Sequence, residues 1–195
     1  MKKILTFLVL ASAALLCGGC GCGTPKAEAE GDNPIIQIIM ARRSIRQYTG
    51  DAVPRELLQK LAECGVNAPN AMNRQAWELR IIDRPDFFPE DIRGALRNAP
   101  ALIAVACPDD ESGMSLINVG LLCENICLAA QSMGLGTVIL GGAVRMLPQT
   151  PEGRECLSRL AFSDGYSLRI FIGIGYPAES PDPRPRDLGK IAFVD

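Results

Sequence analysis

The sequence contains no histidine among its 195 residues. Because histidine is the base in Ser-His and Cys-His nucleophile pairs, its absence excludes those nucleophiles and histidine acid–base catalysis. It also excludes metal sites that depend on imidazole ligands. Any chemistry must therefore use carboxylates, thiols, guanidinium groups, the backbone or a bound cofactor.

The chain also lacks a strong excess of charge, with 20 basic and 22 acidic residues and a net charge of −2. This balance argues against a general nucleic-acid-binding protein, which would carry a basic surface. Hydrophobic residues make up 48% and charged residues 22%, which is typical of a globular protein. The length is enough for one domain of ordinary size.

An apolar run of 13 residues lies near the N-terminus, at residues 4–16, after Lys2 and Lys3. It is too short to span a bilayer comfortably, so it predicts an export signal. Small residues and cysteines follow, and the pattern resembles a bacterial lipoprotein signal in which Cys20 is lipidated; Cys17 and Cys22 fit less well. A simple secretory signal or an uncleaved anchor are the alternatives.

The predicted organisation therefore has three parts, and it places the domain at the bacterial cell envelope. The domain would be either anchored in the membrane through lipid on Cys20 or free in the periplasm. The parts are a signal peptide at residues 1–20, a flexible tether at 21–33 and a folded domain at 34–195.

The domain contains five cysteines, an odd number that cannot form a complete disulfide framework by itself. Cys123 and Cys127 are four residues apart in a helical pattern and share a face. Two thiols could begin a metal site, but no second pair is spaced to complete one. We therefore expect small core residues and no metal site.

Helices and strands alternate irregularly along the domain, which favours an α+β architecture over a regular βαβ array. The helix predicted at residues 115–133 is apolar on nearly every side, so its own domain or a partner chain must enclose it. The apolar end of the chain predicts a last strand at residues 190–194. Periodicity further predicts helices at 34–44 and 54–65, and strands at 77–83, 101–108, 137–140 and 166–177.

Three arginines lie within five residues, at Arg42, Arg43 and Arg46, with Ser44 between them. Guanidinium groups match the oxygens of phosphate or carboxylate with paired hydrogen bonds, so the cluster suits a phosphate dianion and the edge of a heterocycle. The alternative is a solvated basic surface at the end of a helix, where the helix dipole favours cations.

Two further segments are unusual in polarity or glycine content. Asn70, Asn73 and Gln75 offer uncharged donors and acceptors that suit the hydroxyl and ring groups of a flavin or nucleotide. The alternative is a turn whose asparagines bond their own backbone. Gly141 and Gly142 follow a predicted strand and open no obvious helix, and they would let a planar ligand approach the backbone.

Four segments in this order resemble the motifs of the nitroreductase family of FMN-dependent oxidoreductases. They are RRSIRQY, APNAMNRQAW, LAAQSMGLGTVILGG and IGIGYPAESPDPRPR, and the resemblance covers residues 35–195. Ala76 stands where the family usually has proline. The resemblance implies an α+β fold with a mixed, mainly antiparallel sheet flanked by helices. It also implies an intertwined homodimer with FMN between the protomers.

The resemblance further implies which residues bind FMN. The arginine segment would hold the phosphate and the pyrimidine edge, and the carboxamide loop would contact the flavin ring. The backbone of the glycine pair would lie near the flavin N5. An arginine of the last segment would reach the phosphate, and spacing favours Arg186. The implied residues are Arg42, Arg43, Ser44, Arg46, Pro69, Asn70, Ala71, Asn73, Gln75, Leu140, Gly141, Gly142, Arg184 and Arg186.

The implied activity is hydride transfer through the flavin N5, in a ping-pong pattern, to a small electron-poor acceptor such as a nitroaromatic or a quinone. The flavin does the redox work, so no side chain is assigned as catalytic. NAD(P)H is the implied donor, although an exported protein does not meet the cytosolic pool. The alternatives are a tethered flavin- or nucleotide-binding protein without turnover, and a structural lipoprotein with an empty pocket.

Overall fold

The computed structural model describes residues 33–110 and 113–194. The predicted signal peptide, Cys20 and nearly all of the predicted tether lie outside the described residues. The helices are α1 (Pro34–Ala41), α2 (Arg55–Val66), α3 (Glu90–Ala95), α4 (Met114–Ser132), α5 (Gly141–Met146) and α6 (Pro151–Arg159). The strands are β1 (Glu78–Ile82), β2 (Ala101–Pro108), β3 (Gly136–Leu140) and β4 (Tyr166–Gly175).

The four strands form one antiparallel sheet in the order β1-β2-β4-β3. Successive side chains of a strand point to opposite faces, so β2 serves two cores. Ile103 and Val105 pack with α2 and α4, whereas Leu102 and Ala104 pack with α3, α5 and α6. The predicted α+β class, with an antiparallel sheet flanked by helices, is confirmed.

The central helix α4 covers one face of the sheet, close to the predicted bounds. It is long and apolar enough to cross a bilayer by length and composition, but it packs against α2, β2 and β3 as a core helix. Gly65 lets α2 approach it, because a Cβ there would lie 2.7 Å from Cγ1 of Ile126. Enclosure within the chain is partial, since Leu116, Ile117 and Leu121 stay exposed.

The first helix begins as predicted and ends earlier than predicted. The side-chain oxygen of Asn33 accepts the N–H groups of Ile35 at 2.9 Å and Ile36 at 3.3 Å, which confirms the cap. The helix ends at Ala41 rather than near residue 44, because Arg42 already has an extended ψ of 132°. The arginines therefore lie on an extended segment after the helix.

The prediction of a last strand at residues 190–194 is wrong for the single chain. Leu188–Lys190 form a 3-10 turn, and residues 191–194 have no regular structure. Phe193 and Val194 are each 97% exposed. A strand needs a neighbour for its backbone groups, and this segment has none within the described chain.

The five cysteines of the domain are free thiols, and all except the partly exposed Cys64 are buried. The four buried thiols serve as core residues, as predicted. A search of the described residues finds no group of side chains placed to hold a metal ion. Burial raises the pKa of Cys123 to about 12. A raised pKa keeps the thiol neutral at pH 8, so little of the reactive thiolate is present.

We therefore predict that iodoacetamide at pH 8 labels Cys64 well before Cys123 in the folded protein. Peptide mass spectrometry after timed labelling measures both sites, with the urea-unfolded protein as the control in which both react. Equal labelling rates in the folded protein would contradict the buried position of Cys123.

Candidate functional site

The arginine segment lies along the start of β3. Ser44 forms a parallel bridge with Thr137, and the N–H of Ile45 donates to the carbonyl oxygen of Thr137 at 2.8 Å. Gly136 permits this approach, because a Cβ there would lie 2.7 Å from Cγ1 of Ile45. The arginines are therefore positioned by apolar packing and backbone bonds to the sheet.

The same segment is also bonded to the chain that follows β4. The N–H of Ala178 donates to the carbonyl oxygen of Gln47 at 2.9 Å, and the N–H of Thr49 donates to that of Tyr176 at 3.0 Å. The Tyr48 hydroxyl donates to the carbonyl oxygen of Ile45 at 2.9 Å. The two backbone bonds join segments that lie more than a hundred residues apart in sequence.

This junction gathers five arginines around one cavity of about 220 Å³. We call it the arginine cradle. Three of the arginines come from the segment after α1 and two from the proline-rich segment after β4, and Asp182 supplies a carboxylate. The lining residues are Arg42, Arg43, Ser44, Arg46, Pro181, Asp182, Arg184 and Arg186.

The arginines of the segment after α1 differ in their contacts. Nη1 of Arg43 donates to the carbonyl oxygens of Met40 at 2.7 Å and Arg42 at 2.9 Å, so this side chain caps the end of α1. Nε of Arg42 lies 3.8 Å from a carboxylate oxygen of Glu124 on α4. The Arg46 side chain is exposed, and its one hydrogen bond to a described residue goes to the nearby carbonyl of Ser44, at 3.2 Å. Arg42 and Arg46 thus keep more donors for a ligand.

Glu179 holds the arginine segment by its backbone and was not singled out from the sequence. Its carboxylate accepts the N–H groups of Arg46 and, at 3.2 Å, Gln47. An acidic residue in a proline-rich segment gives no signal of this role. The contact depends on the long-range junction between the two segments.

We predict that Glu179→Ala weakens binding of an anion in the cradle about fivefold, because two backbone donors lose their acceptor. Glu179→Gln keeps an acceptor oxygen and removes a negative charge near the cradle, so its affinity should stay within about twofold of the parent. Fluorescence titration with FMN measures both variants. If both variants bound FMN with the same reduced affinity, Glu179 would not act by accepting the backbone N–H groups.

The carboxamide loop at residues 69–75 is closed by its own asparagine. The side-chain oxygen of Asn70 accepts the N–H of Gln75 at 2.8 Å, so for Asn70 the turn-closing alternative holds. Asn118, buried on α4, accepts the N–H of Ala71 at 3.4 Å. A buried asparagine in an apolar helix was the one sequence signal that could have identified this support.

The loop also carries backbone strain. Met72, Asn73 and Gln75 have φ values of 53°, 50° and 49°, in the left-handed region that favours glycine. Each such residue costs about 1–3 kcal/mol and is typical of binding sites. Asn73 and Gln75 are exposed, so their carboxamides face outward from a loop that Asn70 and Asn118 hold in shape.

The glycine pair opens α5, where the sequence predicted no helix. Neither glycine has a positive φ. A Cβ at Gly142 would meet no atom within 4 Å, and one at Gly141 would meet only Cδ1 of Ile170, at 3.4 Å. Nothing in the described chain requires glycine here, although each glycine costs about 1 kcal/mol in a helix. Close approach of another molecule to the backbone would explain both glycines. Leu140, which precedes them, is buried.

The sequence matches the nitroreductase family over residues 39–93 and 85–176. The chain is 31% identical over 159 residues to a protein of Methanothermobacter thermautotrophicus named as an NADH dehydrogenase/NAD(P)H nitroreductase, covering 77% of this chain and 81% of the relative. It is 26% identical to the NADPH-flavin oxidoreductase of Vibrio harveyi, covering 79% of this chain and 70% of that one.

A solved structure of a nitroreductase with bound FMN, from Desulfitobacterium hafniense, is similar with a TM-score of 0.75. The two chains are 26% identical, and the match covers 84% of this chain and 99% of the solved one. The chain belongs to the nitroreductase family.

Proposed function

We propose that the protein is an FMN-dependent oxidoreductase that transfers hydride from NAD(P)H to a small electron-poor acceptor, such as a nitroaromatic or a quinone. The observation that carries the proposal is the arginine cradle, where two distant segments place five guanidinium groups around one cavity. The names of the relatives support the cofactor and the reaction class.

The residues present fit FMN. The cradle offers charge-assisted donors for the phosphate dianion. Gly141 lies four residues, or about 13 Å of strand, beyond Thr137, which pairs with the arginine segment. The glycine pair thus leaves room for a planar ring at a distance from the phosphate, and the strained loop offers carboxamides for the ring edge. When bound, FMN would supply hydride chemistry at its N5.

In this proposal the chain's own residues bind and orient FMN. Arg42 and Arg46 hold the phosphate and the pyrimidine edge, and Arg186 closes the cradle from the other segment. A guanidinium at the pyrimidine edge favours negative charge there. Side-chain nucleophiles and bases are not needed, which agrees with the absence of histidine.

Anaerobic stopped-flow mixing of the FMN-loaded protein with NADH or NADPH tests the activity. The proposal predicts loss of the flavin absorbance with one of the two donors and its return on adding a quinone or nitroaromatic. A protein that binds FMN but reacts with no donor would instead be a flavin-binding protein without turnover.

The active form in this proposal is a homodimer with FMN between the protomers. Exposed apolar side chains of α1, α4 and the C-terminal segment support it, because a monomer rarely leaves so many large apolar groups in water. Sedimentation velocity measures the state, and a monomer at micromolar concentration would contradict it. The exposed residues include Ile35, Ile39, Met40, Leu116, Ile117, Phe193 and Val194.

The proposed location is the bacterial cell envelope, with lipid on Cys20. The sequence pattern at residues 1–22 supports it. Mass spectrometry of the native protein tests it, since cleavage before Cys20 and a lipid mass on that residue are expected. An intact Met1 would contradict it.

A further inference from the structure

A small cavity lies between α3, the end of β1 and the start of β2. Its volume is about 100 Å³, and it shares no lining residue with the arginine cradle. Phe88, Leu96 and Leu102 form buried apolar walls. The nitroreductase reaction proposed above does not use this cavity.

One wall of the cavity carries a guanidinium nitrogen that has no hydrogen-bond partner among the described residues. The buried Nε of Arg93 donates a hydrogen bond to no described residue. Arg93 also forms no ion pair within the described chain. Arg84, which lines the same cavity, pairs with Asp86 at 3.2 Å. Because a buried donor without an acceptor is costly, Nε of Arg93 calls for an acceptor that the described residues do not supply.

A carboxamide lines the cavity together with this guanidinium. Asn98 belongs to the lining, and its N–H donates to the carbonyl oxygen of Arg93 at 2.9 Å, which fixes the turn after α3. Arg97 and Asn98 have φ values of 62° and 48°, both in the left-handed region. Left-handed residues are common directly after a helix, and here they bring Asn98 into the lining of the cavity.

We propose that this cavity binds a small aliphatic monocarboxylate. The carboxylate would accept hydrogen bonds from Arg93 and Asn98, and the aliphatic part would lie against Phe88 and Leu96. One guanidinium with an unpartnered Nε, set among apolar walls, suits one negative charge on an apolar stem better than phosphate. An engineered cavity of about 150 Å³ holds benzene, so this cavity suits an acid of a few carbons.

Side-chain NMR of the ¹⁵N-labelled protein, with FMN present to fill the arginine cradle, tests the site. The probes are formate, acetate, propionate and inorganic phosphate, followed at the Arg93 Nε–H and Asn98 amide signals. We expect saturable shifts with the three acids. The affinity should rise about fourfold per added methylene, equivalent to about 0.8 kcal/mol.

Arg93→Gln should abolish the saturable shift of Asn98, whereas Arg97→Gln, an equal loss of charge at an exposed neighbour, should leave it unchanged. Asn98→Asp keeps a side chain that tolerates the left-handed backbone. It places a carboxylate in the cavity and should weaken propionate binding about tenfold or more by repulsion between like charges. Asn98→Asp still tests the proposal if Arg93→Gln does not fold.

Three results would overturn the proposal. The first is a shift that rises linearly with acid concentration without saturating, which would leave water as the partner of Nε. The second is tighter binding of phosphate than of propionate. The third is unchanged propionate binding in a folded Asn98→Asp variant.

Discussion

Arg42→Ala should weaken FMN binding about 10- to 150-fold, equivalent to the loss of about 1.5–3 kcal/mol from a charge-assisted hydrogen bond. Arg42 lines the cradle, and its Nε lies 3.8 Å from a carboxylate oxygen of Glu124 on α4. An ion pair this long to a half-exposed carboxylate competes little with a bound phosphate. Titration of the protein with FMN, followed by flavin fluorescence, measures the change.

The matched control is Arg97→Ala, which removes the same charge from an exposed position outside the cradle. It should bind FMN as the parent does. Thermal unfolding of both variants without FMN checks that the fold survives. Unchanged FMN affinity in a folded Arg42→Ala variant would remove this residue from the site.

Gly142→Ala should have opposite effects on stability and on binding. Without FMN, alanine in place of a helical glycine with open space around it should raise the free energy of unfolding by up to about 1 kcal/mol. With FMN, the added methyl group would crowd a ring lying against the backbone. Overpacking of this kind costs about 1–3 kcal/mol, or about 5- to 150-fold in affinity.

Gly94→Ala is the matched control for Gly142→Ala. Gly94 lies exposed in α3, a helix of six residues like α5, and a Cβ there would also meet no atom within 4 Å. It should gain stability without any loss of FMN affinity. If Gly142→Ala also gained stability and kept its FMN affinity, the glycine pair would not contact the flavin.

Local sequence signals predicted most of the elements. Strand β2 matches its predicted bounds, 101–108, because a fully apolar run bounded by prolines permits few other structures. Asn33 followed by Pro34 defined the start of α1. The end of α1 was misplaced because it depends on tertiary contact: Ser44 leaves the helix to pair with Thr137.

The residue types of the site were predictable from the sequence. The residues that position them were less predictable. Charge density and the family motifs indicated the arginines of both segments before their spatial junction was known. Glu179 and Asn118 were missed as positioning residues, because each acts through backbone groups distant in sequence. The last strand was predicted from apolar residues alone, and these residues lack a neighbour within the described chain.

An FMN titration of the purified protein, combined with its visible absorbance, decides whether the protein is a flavoprotein. We expect one FMN bound per protomer, with the flavin bands visible in the protein as isolated or after FMN is added. A colourless protein that does not bind added FMN would contradict the claim that the arginine cradle and the glycine pair form a flavin site.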